Sequence, residues 1–280
     1  MDLIDLHVHT TASDGSLSPK EVVRHAKERG LKAIAITDHD TVEGVPEALE
    51  EGRRVGIEVV EGVELSVDSP KGTCHLLGYL LDPLDDAFRE KLRVVQRARQ
   101  ERNLRMIKRL KELGVDLTLE EVRAIAPHGQ LCRPHFALAM VKKGYVATVD
   151  EAFERYLRKG GPAYVEKFKF TPEEAIESIR RAGGVPVLAH PFTLELDKEG
   201  LDRFLKALKE RGLEGLEVYY PDHTREQREL YRALAQKYDL AVTGGTDFHG
   251  SSKEGIELGI GSGDMALPYT ILEALKERRE

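Results

Sequence analysis

The chain of 280 residues has no tryptophan, two cysteines and four methionines, and each scarcity closes off a class of protein. Cys74 and Cys132 are too few for a disulfide framework or for a zinc site built on thiolates. Any metal must then be held by imidazole and carboxylate. No apolar run approaches the ~18 residues a membrane span requires, and the start, MDLIDLHVHT, lacks the basic stretch and long apolar core of a secretory signal. A cytoplasmic protein without a membrane partner is expected. What is present, 41% hydrophobic and 32% charged residues, is the composition of a globular chain with room for one large domain, or one domain carrying a smaller insert.

The formal net charge of −7 is unevenly spread. Residues 83–161 hold 17 Lys and Arg against 11 Asp and Glu, which leaves 25 against 38 elsewhere. A basic body and an acidic one are implied. The basic part opens with a helical pattern over 85–113, in which Phe88, Leu92, Val95, Ile107 and Leu110 recur at three- and four-residue steps. Most of its basic side chains fit a solvated helix face, and a few are expected to meet a polyanionic ligand. Further helical patterns at 118–126, 134–143 and 150–157 make this region all helix. Its limits are the turn LDPLDD at 81–86 and Gly160-Gly161-Pro162.

Outside it, short apolar runs alternate with amphipathic helices. The runs are LIDLHV, AIAIT, IEVVEGVEL, HLLGYLL, VPVLAH, LEGLEVYY and LAVTGGTD, and helical patterns fall at 18–30, 43–54, 172–183, 199–211, 223–237 and 268–278. Ser18-Pro19 and Thr171-Pro172 read as an N-cap followed by proline at the first helical position. Uniformly apolar strands interleaved with helices predict a parallel α/β sheet covered on its outer face and closed into a barrel. The barrel is expected from 1–82 and 162–280, with 83–161 as a helical insert covering the site.

Seven of the ten histidines are read as standing at or just beyond the end of an apolar run: His7, His9, His39, His75, His190, His223 and His249. In a parallel barrel the carboxyl ends of the strands open on one face, so these residues converge. His25, mid-helix, and His128, in a Pro/Gly loop, fit solvated or hydrogen-bonded roles. His7 and His9 are different, because alternate residues of one strand point the same way, and two buried imidazoles aimed together need a shared cation or carry unsatisfied nitrogens. Asp14, Glu64 and Asp247 follow or end strands as well. Six histidines and three carboxylates are more ligands than one ion accepts, which predicts two or three divalent ions. Zinc, manganese and iron all suit such a donor set. Asp38 and Asp40 read as acceptors that fix the His39 ring or as turn formers, and both cysteines as packing residues.

The motifs DLHVHTTASDG at 5–15, ITDHDT at 36–41, GVELS at 62–66, HLLGY at 75–79, AHP at 189–191 and GTDFHG at 245–250 resemble those of the PHP (polymerase and histidinol phosphatase) family of metal-dependent phosphoesterases. The resemblance implies a distorted (β/α)7 barrel with a trinuclear centre. One ion would be held by His7, His9, Glu64 and Asp247, a second by Glu64, His75 and His190, and a third by Asp14, His39 and His249. A finer resemblance is to members with a helical insert between the HLLGY and AHP strands, the nucleoside 3',5'-bisphosphate phosphatases and the related 5'-to-3' exoribonuclease. In that group a motif like LCRPHFA at 131–137 binds substrate. Asp247, His249, Arg133 and His135 then form the expected catalytic set. Arg133 neutralises phosphate oxygens, while His135 is either a phosphate donor or the acid for the leaving oxygen. His223 binds substrate or caps the following helix. The implied substrate is a nucleotide or short 5'-phosphorylated RNA, not duplex DNA. Alternatives are a histidinol-phosphate phosphatase and a non-catalytic PHP binding module.

Overall fold

The computed structural model describes residues 2–126 and 129–279, so His128 lies outside the described residues. Its contacts divide the chain into two compact units, Met1–Glu90 with Lys169–Glu280, and Lys91–Phe168.

The first unit is built on one curled sheet. β1 (Leu3–Val8), β2 (Ala33–Ile36), β3 (Glu58–Val67), β4 (Cys74–Tyr79), β5 (Val185–Leu188), β6 (Gly215–Tyr219) and β7 (Ala241–Gly244) lie side by side in chain order, and β8 (Leu267–Pro268) flanks β1. Past β7 the chain returns to β1: Val8 bridges Phe248, the His9 amide donates to the Phe248 carbonyl at 2.9 Å, and the Phe248 amide to that of His7 at 3.3 Å. Seven strands thus nearly close into the expected distorted α/β barrel. β2 and β5 are buried at every position, which is why the strands read as unbroken apolar runs rather than alternating ones. Their Val, Ile and Leu side chains each contribute about 1.5–3 kcal/mol of burial.

The all-parallel expectation is corrected. β1, β2 and β3 are parallel, as are β5, β6 and β7, but β4 runs antiparallel to both β3 and β5, and β8 antiparallel to β1. Only residues 68–73 separate β3 from β4. That length makes a hairpin, whereas a parallel crossover needs about a dozen residues or more. The reversal brings the start of β4, where His75 pairs with Ser66 of β3, to the mouth where its neighbours end.

The covering helices are α1 (Pro19–Glu28), α2 (Val45–Val55), α7 (Pro172–Arg181), α8 (Lys198–Glu210), α9 (Arg225–Lys237) and α10 (Thr270–Lys276). Ser18 and Thr171 cap α1 and α7 through capping boxes with Glu21 and Glu174, each followed by proline. The second unit holds most of α3 (Asp86–Glu112), α4 (Leu119–Arg123), α5 (Arg133–Lys142) and α6 (Val149–Ala152), continued by a π-helical turn at Phe153–Leu157. It has its own core, with Met106, Leu110, Val122, Phe136, Met140 and Leu157 fully buried. Among the described residues no helix is long and apolar enough to cross a membrane.

Candidate metal centre

His7 lies within β1 and His9 just beyond it, both fully buried on the same side of the strand. The next loop is wound tightly, its Ser13 and Gly15 amides both donating to the Thr10 carbonyl at 3.1 and 2.9 Å. Asp38 holds that loop in place by accepting from the Thr10 amide and hydroxyl, both at 2.7 Å, and from the Ser13 hydroxyl at 2.6 Å. Asp14 is thereby delivered to the mouth of the barrel. Asp40 accepts from the amide and hydroxyl of Ser66 at 2.8 and 2.9 Å. The two acids of the TDHD turn therefore tie it to its neighbours on either side, and His39 between them bridges Glu64. His190 follows β5, and Asp247 and His249 follow β7.

Nine side chains meet. Glu64, 1% exposed, stands at their centre. Its Oε2 lies 3.3 Å from His7 Nε2, 3.2 Å from His9 Nε2 and 3.1 Å from His39 Nδ1, and its Oε1 lies 2.7 Å from His75 Nδ1 and 2.9 Å from His190 Nε2. Asp247 Oδ1 lies 3.0 Å from His9 Nε2 and 3.4 Å from His7 Nε2, and Asp14 Oδ1 3.3 Å from His249 Nε2. Three groups bring their donor atoms within 4.8 Å of one another: His7, His9, Glu64 and Asp247; His9, Asp14, His39 and His249; and His39, Glu64 and His75. His190 adjoins the last through Glu64 and through His75 Nδ1 at 3.4 Å.

Divalent cations fit this donor set. His9 Nε2 and Asp14 Oδ1 are buried beside groups of opposite charge yet make no well-aligned hydrogen bond, and coordination would give both a directed partner. Burial opposes the charge on Asp14, Glu64 and Asp247, yet His39 and His249 around Asp14, His39 and His75 around Glu64, and His249 and His7 around Asp247 hold all three well below the usual carboxylate range. The carboxylates stay ionised, as ligands must be. Burial disfavours charge on His9 as well, but Asp247 and Glu64 overcome it and raise the imidazole to about 10. Burial brings His39 down to about 3 against the pull of Glu64 and Asp14. The cluster is a sink for positive charge.

Several imidazoles are held in one tautomer by a bond on the far side of the ring. His7 Nδ1 donates to Glu217 Oε1 at 2.9 Å, His190 Nδ1 to Thr193 Oγ1 at 3.0 Å and His249 Nδ1 to the Asp247 carbonyl at 2.8 Å, so that in the neutral ring each would turn the lone pair of Nε2 toward the centre. Glu217, fully buried in β6, also accepts from the His190 amide at 2.7 Å. Sequence reasoning passes over it, although it is the one carboxylate within the apolar strand GLEVY, and that is the signal that finds it. Tyr220 and Lys253, which contact Asp247, were missed too. Three of the six non-glycine residues with positive φ among the described residues are here, Asp40, His190 and Asp247, at 51°, 21° and 53°.

The remaining predicted residues are not among these nine. His223 is buried and belongs to none of the three donor groups. Its Nδ1 donates to the Val218 carbonyl at 2.8 Å, and its ring packs against Phe192, Tyr220 and Tyr231. Arg133 and His135 begin α5 in the helical unit. Arg133 Nη1 donates to the Leu157 carbonyl at 3.2 Å, and its guanidinium sits 5.9 and 5.5 Å from the Phe153 and Tyr164 ring centres. His135 Nδ1 accepts from the Cys132 amide at 3.0 Å, which places the ring proton on Nε2. His25, in α1, is half-buried with its ring 5.9 Å from Phe248. Cys74 and Cys132 are buried free thiols, and burial pushes Cys74 up to about 12, as befits packing.

A barrel whose strand ends converge on a His and carboxylate cluster around one shared glutamate defines a metal-dependent hydrolase scaffold. The chain belongs to the PHP domain family, whose profile matches residues 5–250. It is 33% identical over 245 residues to a 5'-3' exoribonuclease of Haemophilus influenzae, covering 88% of this chain and 89% of that one. It is 32% identical over 257 residues to a 3',5'-nucleoside bisphosphate phosphatase of Chromobacterium violaceum, covering 91% and 90%. In three dimensions it matches a Bifidobacterium adolescentis protein, taken to be a metal-dependent phosphoesterase, with a TM-score of 0.88 and 30% identity over 100% of this chain and 97% of that one.

The contacts of Glu217 give a direct prediction. Glu217→Gln replaces an acceptor-only group with an amide that cannot accept at both ends, so either His7 loses its tautomer or the His190 amide loses its partner. Metal affinity should fall by about 10- to 100-fold, measured by titration against a competing chelator.

Proposed function

We propose that this protein is a metal-dependent phosphoesterase that hydrolyses phosphate esters of nucleotides, removing the 3'-phosphate of nucleoside 3',5'-bisphosphates, trimming short 5'-phosphorylated RNA from its 5' end, or both. The observation that carries this is the meeting of His7, His9, Asp14, His39, Glu64, His75, His190, Asp247 and His249 at the barrel mouth, in a chain matched along most of its length by relatives with those activities.

Two or three ions of manganese, zinc or iron would be held by these nine residues, with Glu64 shared between ions. When bound, such ions neutralise phosphate oxygens and bring the pKa of water toward ~7. The protein's own groups do the rest. Asp247 offers Oδ1 to the centre, where it ligates or takes the proton of the attacking water. Water adds to phosphorus, the ester oxygen departs with its electron pair, and a proton is delivered to that oxygen. Residues 83–161 supply the substrate contacts, Arg133 as a forked donor to phosphate oxygens and His135 through Nε2–H, which donates to a phosphate oxygen or protonates the leaving group. His223 supports the substrate side through Tyr220 and Phe192, against which it packs.

The test is phosphate or nucleotide release by the manganese-loaded protein from 3',5'-bisphosphoadenosine, a 5'-phosphorylated RNA oligomer and histidinol phosphate. Turnover of the first or second with little of the third is expected. A preference for histidinol phosphate overturns the substrate assignment, and inertness on all three overturns the enzymatic one. Arg133→Ala should lower kcat/KM by about 10- to 100-fold, the worth of a charged hydrogen bond, mainly through KM. Wild-type kinetics for that variant would remove the insert from substrate binding.

A further inference from the structure

The outer oxygen of Asp247 is engaged as fully as the inner one. Tyr220 donates its hydroxyl to Asp247 Oδ2 at 2.8 Å, and Lys253 donates its ammonium to the same oxygen at 2.9 Å and to the Tyr220 hydroxyl at 3.1 Å. The three groups form a closed ring of hydrogen bonds beside the donor cluster. The backbone that presents Lys253 is fixed as well. It follows the short 3₁₀ turn Gly250–Ser252, directly after His249, and that turn is pinned to the loop behind β1 by the Ser251 amide donating to Ser16 Oγ at 2.9 Å and the Ser16 amide donating to the His249 carbonyl at 3.0 Å.

A lysine ammonium has three N–H groups. Two of them meet Asp247 and Tyr220. The side chain is 31% exposed, and among the described residues the ammonium meets no third acceptor. Neutralising Asp247 does not require this lysine, because His7, His9 and His249 already face the carboxylate and Tyr220 already donates to Oδ2. A fixed cation with an unspent donor, set at the rim of a centre that gathers cations, is accounted for by an anion that bridges the two.

We propose that Lys253 is a substrate-binding residue, its ammonium oriented by Asp247 and Tyr220 so that the remaining N–H takes a non-bridging oxygen of the phosphate held at the centre. This rests on the phosphoesterase reading above and adds to it a residue from the barrel itself. It predicts a bias toward the more highly charged phosphate, since a point charge at fixed distance attracts a monoester dianion more than a diester monoanion.

The experiment compares wild type, Lys253→Met and Lys253→Arg, all loaded with manganese. Calorimetry measures the binding of inorganic phosphate, elemental analysis counts ions per chain, and kinetics give kcat and KM. Lys253→Met should weaken phosphate binding by about 10- to 100-fold, raise KM more than it lowers kcat, and keep the wild-type ion count. Lys253→Arg should recover most of the loss, and if the methionine variant does not fold, Lys253→Gln, which is uncharged, takes its place as the probe with the same expected loss and the same overturning result. Unchanged phosphate binding and KM in Lys253→Met overturn the proposal, as does a loss of ions, which would make Lys253 a positioning residue for Asp247. A wild type that binds phosphate and turns over substrate while Lys253→Met behaves identically sinks this inference alone. A wild type inert toward every phosphate ester sinks the underlying function instead.

Discussion

Asp247→Asn is expected to cut kcat by on the order of 10³-fold or more, equivalent to about 4 kcal/mol of transition-state stabilisation, while the apo protein melts at the wild-type temperature. The substitution is nearly isosteric, and its orientation is dictated by its neighbours. Tyr220 and Lys253 both donate to Oδ2, so the amide oxygen settles there and the NH2 group takes the place of Oδ1. That group then points at His7 Nε2 and His9 Nε2, which lie 3.4 and 3.0 Å from Oδ1 in the wild type. A donor stands where a ligand is required, and the group able to receive a proton from water is gone. The backbone should tolerate the change, because residue 247 has φ of 53° and asparagine is among the residues that enter the left-handed region at little cost. Alanine would confound catalysis with backbone strain. Steady-state kinetics at saturating manganese, ions per chain and a melting curve together make the check. Near-normal kcat with a full complement of ions would remove Asp247 from the chemistry.

The site was legible in the sequence to the degree that its residues sit where hydrophobic runs stop. His7, His9, His39, His190, Asp247 and His249 are of that kind, and the convergence of strand ends in a barrel does the rest. His75 departs from the expectation of a strand's end. It lies near the start of β4, and only the reversal of that strand brings it to the mouth. Periodicity carries no information about strand direction, but loop length does, and the few residues from Asp68 to Thr73 were the available signal. β8 spans two residues, too short for any pattern to register. Glu217 was detectable as a charge in an apolar strand, whose burial demands a partner. Lys253 was not, because a lysine in the polar segment SSKEG looks like any solvated loop residue until the fold sets it against Asp247.

Gly245→Ala should couple the loss of barrel closure to the loss of metal. The glycine follows β7 and donates its amide to the Tyr219 carbonyl at 3.0 Å. A methyl group there would stand 2.3 Å from both the Cβ and the amide nitrogen of His7 and 2.8 Å from its Cα. None of these is the end of a flexible side chain, so nothing can swing aside. Either the segment after β7 retreats from β1, breaking the His9–Phe248 and Phe248–His7 backbone hydrogen bonds that close the barrel, or β1 moves and takes His7 away from Glu64 and Glu217. Overpacking of this kind costs about 1–3 kcal/mol or more, which for a chain of this size lowers Tm by roughly 2–12 °C. The second effect is larger in consequence. A cation that binds only the folded state raises Tm with its concentration, so wild type should gain stability on adding manganese. Gly245→Ala should start lower and gain little, whereas Asp247→Asn should start at the wild-type value and gain less than wild type. That pair of melting curves separates damage to the scaffold from damage to a ligand. A Gly245→Ala protein with the wild-type Tm and the full manganese-dependent rise would mean that the approach of the segment after β7 to His7 does not hold the centre together.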